Sequence, residues 1–209
     1  MAACFRHGDR HGHHFVGLIL LIVDGLTNGL LIINGFPATG KTTLARDLAG
    51  ALGWPLFTKD GIKERLFDVL GWGDEEWSEQ LSHAVIEVLF DVAETLLRTG
   101  VSVVLEADFV SGASSGRVRS FERDGGCRVV QLVLVGDPEA IARRFEDRAR
   151  RGNRHPGHAD AELVGEVEEE TRQPYAPLEI DGPTRVVDAT DPTRVDHAEI
   201  EEWVRQQLP

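Results

Sequence analysis

The sequence predicts a three-layer α/β sandwich, a parallel sheet of about five strands with helices on both faces. Three observations predict it. Short apolar, β-branched runs alternate with segments of helical period along most of the chain. The first run, Leu30-Leu31-Ile32-Ile33-Asn34, is apolar without alternation, as a strand buried on both faces must be. A glycine-rich turn follows at once and opens a helix, the connection that parallel strands require.

The elements follow in order. Lys41 to Leu52 reads as a helix stopped by Gly53. A second strand is expected to end near Phe57, ahead of a helix beginning near Gly61. His83 to Arg98 carries Val85, Leu89, Val92 and Leu96 at helical spacing, with Gly100 as the stop. Val101 to Leu105 and Arg128 to Val135 are further strands rich in valine. Asp137-Pro138 is an N-cap followed by proline in the first turn, opening a helix to about Arg150. Arg185 to Asp188 is a last short strand, and Ala198 to Gln207 a closing helix.

Length and composition bound what such a chain can do. Its 209 residues, 42% hydrophobic and 27% charged, are those of one globular domain with appendages, which excludes a mainly disordered chain. Residues 29–209 form that domain, with a short arginine-rich lid at about 143–160. Asp and Glu outnumber Lys and Arg by 35 to 22, and a net charge of −13 argues against nucleic acid or a membrane as partner. Cys4 and Cys127 form no CxxC pair, so a reducing cytoplasm is the simplest location.

Residues 1–28 differ from the rest and read as an extension, partly disordered or packed on the domain. A basic, His-rich start precedes the apolar run Phe15 to Val23, which is far below the ~20 residues that span a bilayer. A signal peptide is the other reading of such a start, but no A-x-A-like cleavage site follows and Asp24 interrupts promptly.

The strongest signal is Gly35-Phe36-Pro37-Ala38-Thr39-Gly40-Lys41-Thr42, which fits GxxxxGK[ST] between a buried strand and a helix. Gly35 and Gly40 let successive amides turn inward around phosphate oxygens. The helix that carries Thr43 points its positive end at the same anion. Lys41 is expected on the terminal phosphates and the Thr42 hydroxyl on magnesium. The stretch thus implies a nucleoside triphosphate and Mg2+.

Asp60 lies where the second strand meets the mouth of that site, and a carboxylate there can take the proton of an acceptor hydroxyl. Capping the helix near Gly61 is its competing role. Lys63 is a candidate for an anionic substrate, against the ordinary fate of a solvated helix face. Glu106 and Asp108 end the run Val103-Val104-Leu105-Glu106-Ala107-Asp108-Phe109. Glu106 is expected on metal, and Asp108 and Phe109 on substrate. Arg143, Arg144, Arg148, Arg150, Arg151 and Arg154 suit a lid that neutralises a triphosphate, with Arg144 on the nucleotide. Their alternative is pairing with the acids of Glu162 to Glu170. His155 and His158 have no cysteine neighbour, so zinc is not expected.

Carried by GFPATGKTTLA, TKDGIKERLFD, VVLEADF and RFEDRARRGNRHPGH, the sequence resembles P-loop small-molecule kinases. The group is the AAA-type ATP-binding family related to zeta toxins and chloramphenicol phosphotransferase, and the resemblance spans roughly Leu30 to Asp191. It implies a P-loop NTPase fold, ATP, and transfer of the γ-phosphoryl group to a small-molecule hydroxyl on a sugar or an aminoglycoside- or nucleoside-like antibiotic. It also implies that Asp60 orients and deprotonates the acceptor, that Glu106 is the acid ending the third strand, and that Arg148 and Arg154 are lid arginines. Two other readings stay open: a nucleotide or polynucleotide 5'-hydroxyl kinase, and an ATP-binding regulatory module that lacks an acceptor.

Overall fold

A computed structural model describes residues 28–152 and 154–208. The extension expected over residues 1–28, with its His-rich start and apolar run, lies outside the described residues except for Asn28. Five strands form one all-parallel sheet: β1 (Gly29–Gly35), β2 (Leu56–Thr58), β3 (Val103–Glu106), β4 (Arg128–Val135) and β5 (Thr184–Asp188), in the order β2-β3-β1-β4-β5. Seven α-helices are described: α1 (Lys41–Leu52), α2 (Lys59–Leu70), α3 (Glu75–Arg98), α4 (Ser111–Gly125), α5 (Pro138–Arg151), α6 (Val164–Arg172) and α7 (His197–Gln207). The α/β sandwich is therefore as the sequence predicts. None of the described helices is long and apolar enough to cross a membrane.

The central strand explains the layering. Successive side chains of a strand point to opposite faces, so Leu30 and Ile32 meet Val85, Leu89 and Phe90 of α3 and Val118 and Phe121 of α4. Leu31 and Ile33 meet Leu44 and Leu48 of α1 and Ile200 and Val204 of α7. These four β1 residues are fully buried, so apolar side chains face helices on both sides of the strand. A third cluster, of Phe36, Ile141, Phe145 and Val167, fastens α5 and α6 to the start of the glycine-rich loop.

Register decides where the chemistry lies. Glu106 pairs with Ile33 on one side and with Thr58 on the other, so β2 and β3 end level and β1 runs on to Gly35. The residues that follow each strand, Phe36 onward, Lys59 onward and Ala107 onward, thus converge at one edge, outside the carboxyl ends of the strands.

Three boundaries differ from expectation. The helix expected from His83 starts eight residues earlier, capped by Asp74, whose side chain accepts from Trp77 N. Leu81 of that added part is buried, but the mostly polar residues around it hide the period. Residues 111–117, to which the sequence assigns no element, form the first half of α4, whose serines and glycines carry little helical signal. The helix after β2 begins at Lys59, and its N-cap is Thr58, whose Oγ1 accepts from Gly61 N at 3.0 Å. Asp60 lies in the first turn, so the capping role that competed for it falls to Thr58.

Candidate functional site

The loop between β1 and α1 bends around a hollow. Gly35 (φ 129°) and Gly40 (φ 91°) sit in the left-handed region, and Ala38 joins them at φ 54°. At Gly35 the need is absolute, because a Cβ there would lie 2.1 Å from the carbonyl oxygen of Leu134. Lys41 folds back and donates from Nζ to the carbonyl oxygens of Gly35 (2.8 Å) and Phe36 (2.7 Å). Burial lowers its pKa, opposed first by the nearby charge of Glu106. The Thr39 hydroxyl is spent inside the loop, on the carbonyl of Phe36 at 2.7 Å.

A network that sequence reasoning missed braces this loop from below. Asn34, fully buried, accepts at Oδ1 from Gly35 N (2.9 Å), Phe109 N (2.9 Å) and the Tyr175 hydroxyl (2.5 Å), and donates to the Phe109 carbonyl at 3.1 Å. Gly35 N also donates to the Tyr175 oxygen at 3.1 Å. A polar residue inside an otherwise apolar strand was the available signal, since a buried amide must find partners.

Glu106, 5% exposed, accepts from the Thr42 hydroxyl at 3.1 Å, and burial pushes its pKa up. Two hard oxygen ligands beside a phosphate cradle match the way magnesium is held, through few protein ligands with water and phosphate completing its shell. Asp108 forms an ion pair with Lys59 at the start of α2. Phe109, expected on substrate, borders the cleft, but its ring is 2% exposed and stacks on Phe90 at 5.4 Å in the core. Phe36 is likewise in the core, edge-on to Tyr175 at 5.0 Å, so only its backbone is available to a phosphate.

The arginines sort by helical face. Arg144, Arg148 and Arg151, spaced at i, i+4 and i+7, line the cleft together with Arg154. Arg143 and Arg150 point away, into pairs with Glu139 and Glu146. The pairing expected with Glu162 to Glu170 is not found among the described residues. Arg148 and Arg154 instead share Asp160, at 3.0 and 2.7 Å. Arg148 Nη2 is buried with no hydrogen-bond partner, which leaves a cationic donor for a ligand to satisfy. Arg144 spans the carbonyls of Ala38 (2.9 Å), Ala189 (3.0 Å) and Thr190 (2.6 Å), joining the loop to the segment after β5.

Arg154 also reaches Asp60, 2.5 Å from Nη2 to Oδ2. Burial alone would raise the Asp60 pKa, but Arg154 and the other positive charges around it hold the carboxyl below its usual range. The segment carrying Arg154 is packed down on α2: His155 stacks on Phe67 at 5.1 Å, and a Cβ at Gly157 would lie 2.8 Å from Phe67 and from Trp72. His158, buried, accepts at Nδ1 from Arg154 (3.0 Å) and meets Glu64 through Nε2 (3.1 Å). Those partners suit the neutral ring with its proton on Nε2.

The loop from Gly35 to Thr43, Asp60, Glu106, Asp108, Arg148 and Arg154 line one cleft of about 1010 Å³. Phe36, Phe109, Phe145 and Tyr175 are the aromatic residues that border it; Trp54, Phe57, Phe67, Trp72 and Trp77 do not.

Residues 30–174 match the AAA domain family AAA_33, and the chain belongs to that family of P-loop NTPases. It is similar, at 38% identity and a TM-score of 0.79, to a protein of Chloroflexus aurantiacus J-10-fl described as a candidate kinase, over 88% of this chain and 100% of the other. It shares its fold with a sugar kinase from Janibacter sp. HTCC2649 (18% identity, TM-score 0.54, 87% of this chain and 94% of the other). The same holds for Chaetomium thermophilum Kti12, whose structure contains ADP-AlF3 (17%, 0.58, 86% and 99%). No curated protein matches the sequence.

Proposed function

We propose that the protein is a kinase that moves the γ-phosphoryl group of ATP to a hydroxyl of a small molecule, such as a sugar or an aminoglycoside- or nucleoside-like compound. One observation carries this reading. A phosphate cradle, Gly35 to Thr43, and an ionised carboxylate, Asp60, open into the same cleft with Arg148 and Arg154 beside them. Transfer of this kind needs little from the protein beyond alignment and charge neutralisation. The description of the Chloroflexus aurantiacus relative supports the same class of activity.

The loop amides and Lys41 bind the polyphosphate, and Lys41 leaves its carbonyl partners to do so. Arg144 holds the nucleotide end of the cleft, while the unpartnered Nη2 of Arg148 takes up negative charge. Thr42 and Glu106 would hold magnesium, directly or through water, and the ion would supply neutralisation of phosphate charge. Asp60 accepts a hydrogen bond from the acceptor hydroxyl. Held by Arg154 below the usual carboxylate range, it is a weak base at first, so it chiefly orients the hydroxyl and takes the proton as the new bond forms. Asp108 and Lys59 stand on the acceptor side. The zeta-toxin and chloramphenicol phosphotransferase resemblance is consistent with this division of the cleft.

The test is a panel of hydroxylated metabolites and antibiotics incubated with Mg-ATP, read by ADP formation and by the mass of a phosphorylated product. The expected result is at least one compound that gains a phosphoryl group. Nucleotide binding with no acceptor-stimulated ADP release across the panel would leave a regulatory module instead.

A further inference from the structure

Lys63 does not have the solvated setting that is the ordinary fate of a lysine on a helix face. It sits on α2, yet it is only 5% exposed and, with Ser78 and Ser82, it lines the cleft. Its Nζ donates to Ser78 Oγ and Ser82 Oγ, both at 2.8 Å, and lies 5.3 Å from the centre of the Phe67 ring. Among the described residues it has no carboxylate ion-pair partner. The two serines turn their own protons elsewhere, to the carbonyls of Gly157 and Ser78. Their lone pairs are thus fixed on the ammonium, and of its three N–H groups one is left over.

An ammonium taken out of water without a counter-ion is costly, and neutral hydroxyls repay only part of that cost. The strain is visible in its acidity. Burial first, and then the neighbouring charge of Lys59, bring its pKa down to about 8, against the opposing pull of Asp60 and Asp108 and with Arg154 adding to the repulsion. A chain that needed only a staple between α2 and α3 could use an apolar residue there. A cation retained at a cleft wall, with one donor unused, is matched by negative charge arriving from the cleft.

We propose that Lys63, cupped by Ser78 and Ser82, is the anion-binding end of the acceptor pocket, so that the hydroxyl compound phosphorylated here carries a carboxylate or phosphate group of its own. The proposal rests on the kinase reading and narrows its acceptor. Lys63 follows Asp60 by three residues on one helix, so the two share a face with Cβ atoms roughly 5–6 Å apart. An acceptor with its hydroxyl at Asp60 and its anion at Lys63 is therefore compact, the two groups only a few bonds apart. Neutral sugars and cationic aminoglycosides leave the ammonium unmatched.

The experiment uses the full chain saturated with Mg2+ and a non-hydrolysable ATP analogue, so that the phosphate cradle is already filled. Matched polyols are compared by calorimetry: a neutral hexose, its amino sugar, its aldonic acid and its phosphate ester. The same four are then assayed with Mg-ATP for phosphorylated product. The acid, the ester or both should bind at least tenfold more tightly than the neutral hexose, and the preferred one identifies carboxylate or phosphate. Lys63→Met should erase that preference by raising KM for the anionic acceptor more than it lowers kcat. A neutral or amino sugar that binds best and is phosphorylated overturns the proposal while the kinase stands. Anion binding that depends on Lys63, with no product from any compound, leaves the subsite and removes the kinase. A preference in the native protein that Lys63→Met leaves intact also overturns it.

Discussion

Arg154 and Asp60 are 94 residues apart in sequence and 2.5 Å apart in space. The contact ties the segment after α5 to the first turn of α2, across the mouth of the cleft. It also holds Asp60, the carboxylate proposed to face an acceptor hydroxyl, in its charged form. A guanidinium this close to the carboxylate suppresses its basicity.

Asp60→Asn keeps the shape of the side chain but removes its charge and its capacity to take a proton. Phosphoryl transfer should fall by about 10²- to 10⁴-fold, the usual contribution of a placed base. The dissociation constant for Mg-ATP should stay within a few-fold of the parent, since the phosphate cradle is untouched. Undiminished turnover would remove Asp60 from the mechanism.

Lys41→Ala removes the cation that the loop folds around. Hydrogen bonds from a charged donor are worth about 1.5–3 kcal/mol, so Mg-ATP should bind roughly 10- to 150-fold more weakly. Turnover should fall with it. Calorimetric titration checks the first and ADP release the second; parental affinity in the variant counts against the cradle.

Asn34 and Tyr175 offer a graded test of the brace under the loop. Tyr175→Phe deletes one hydroxyl while Asn34 keeps its bonds to Gly35 and Phe109, so the expected loss of stability is about 1 kcal/mol. Asn34→Ala strands the buried N–H and carbonyl of Phe109, leaves Gly35 N only the Tyr175 oxygen, and should cost about 3 kcal/mol or more. Urea unfolding with an unchanged slope gives both values. Equal losses in the two variants would mean that Asn34 is not the hub.

His158 makes the fold sensitive to acid. Burial, then the charge of Arg154, push its pKa down from 6.5 to about 3, with Asp60 opposing and Lys63 and Lys59 adding to the repulsion; Glu64 faces its Nε2. Between pH 6.5 and about 3 the unfolded chain binds a proton that the folded chain refuses. Stability from the neutral ring is thus complete above pH 6.5 and is lost as pH falls through that window. His158→Gln should flatten the dependence of unfolding free energy on pH there. Chemical denaturation of both proteins at pH 7, 5.5 and 4.5 measures it, and parallel curves would contradict the shift.

What could be read in advance was local. The cradle is legible because GFPATGKT is eight consecutive residues whose backbone needs are met by glycine and whose setting is a buried strand on one side and a helix on the other. The same holds for the N-cap at Asp137, which accepts from Ala140 N at 2.9 Å, and for the glycine that ends α1. Where the period was faint the elements blurred, as at the start of α3 and throughout the serine-rich half of α4.

The sequence by itself determined the parallel α/β layering and the phosphate-binding bend, because strand burial, helical period and glycine conformation are properties of neighbouring residues. Only the tertiary structure decided which arginines face inward, that Phe109 belongs to the core, that Asn34 anchors Tyr175, and that Lys63 is buried without a counter-ion. These depend on strand register and on the docking of helices far apart in the chain, where a one-residue slip would turn each side chain to the opposite face.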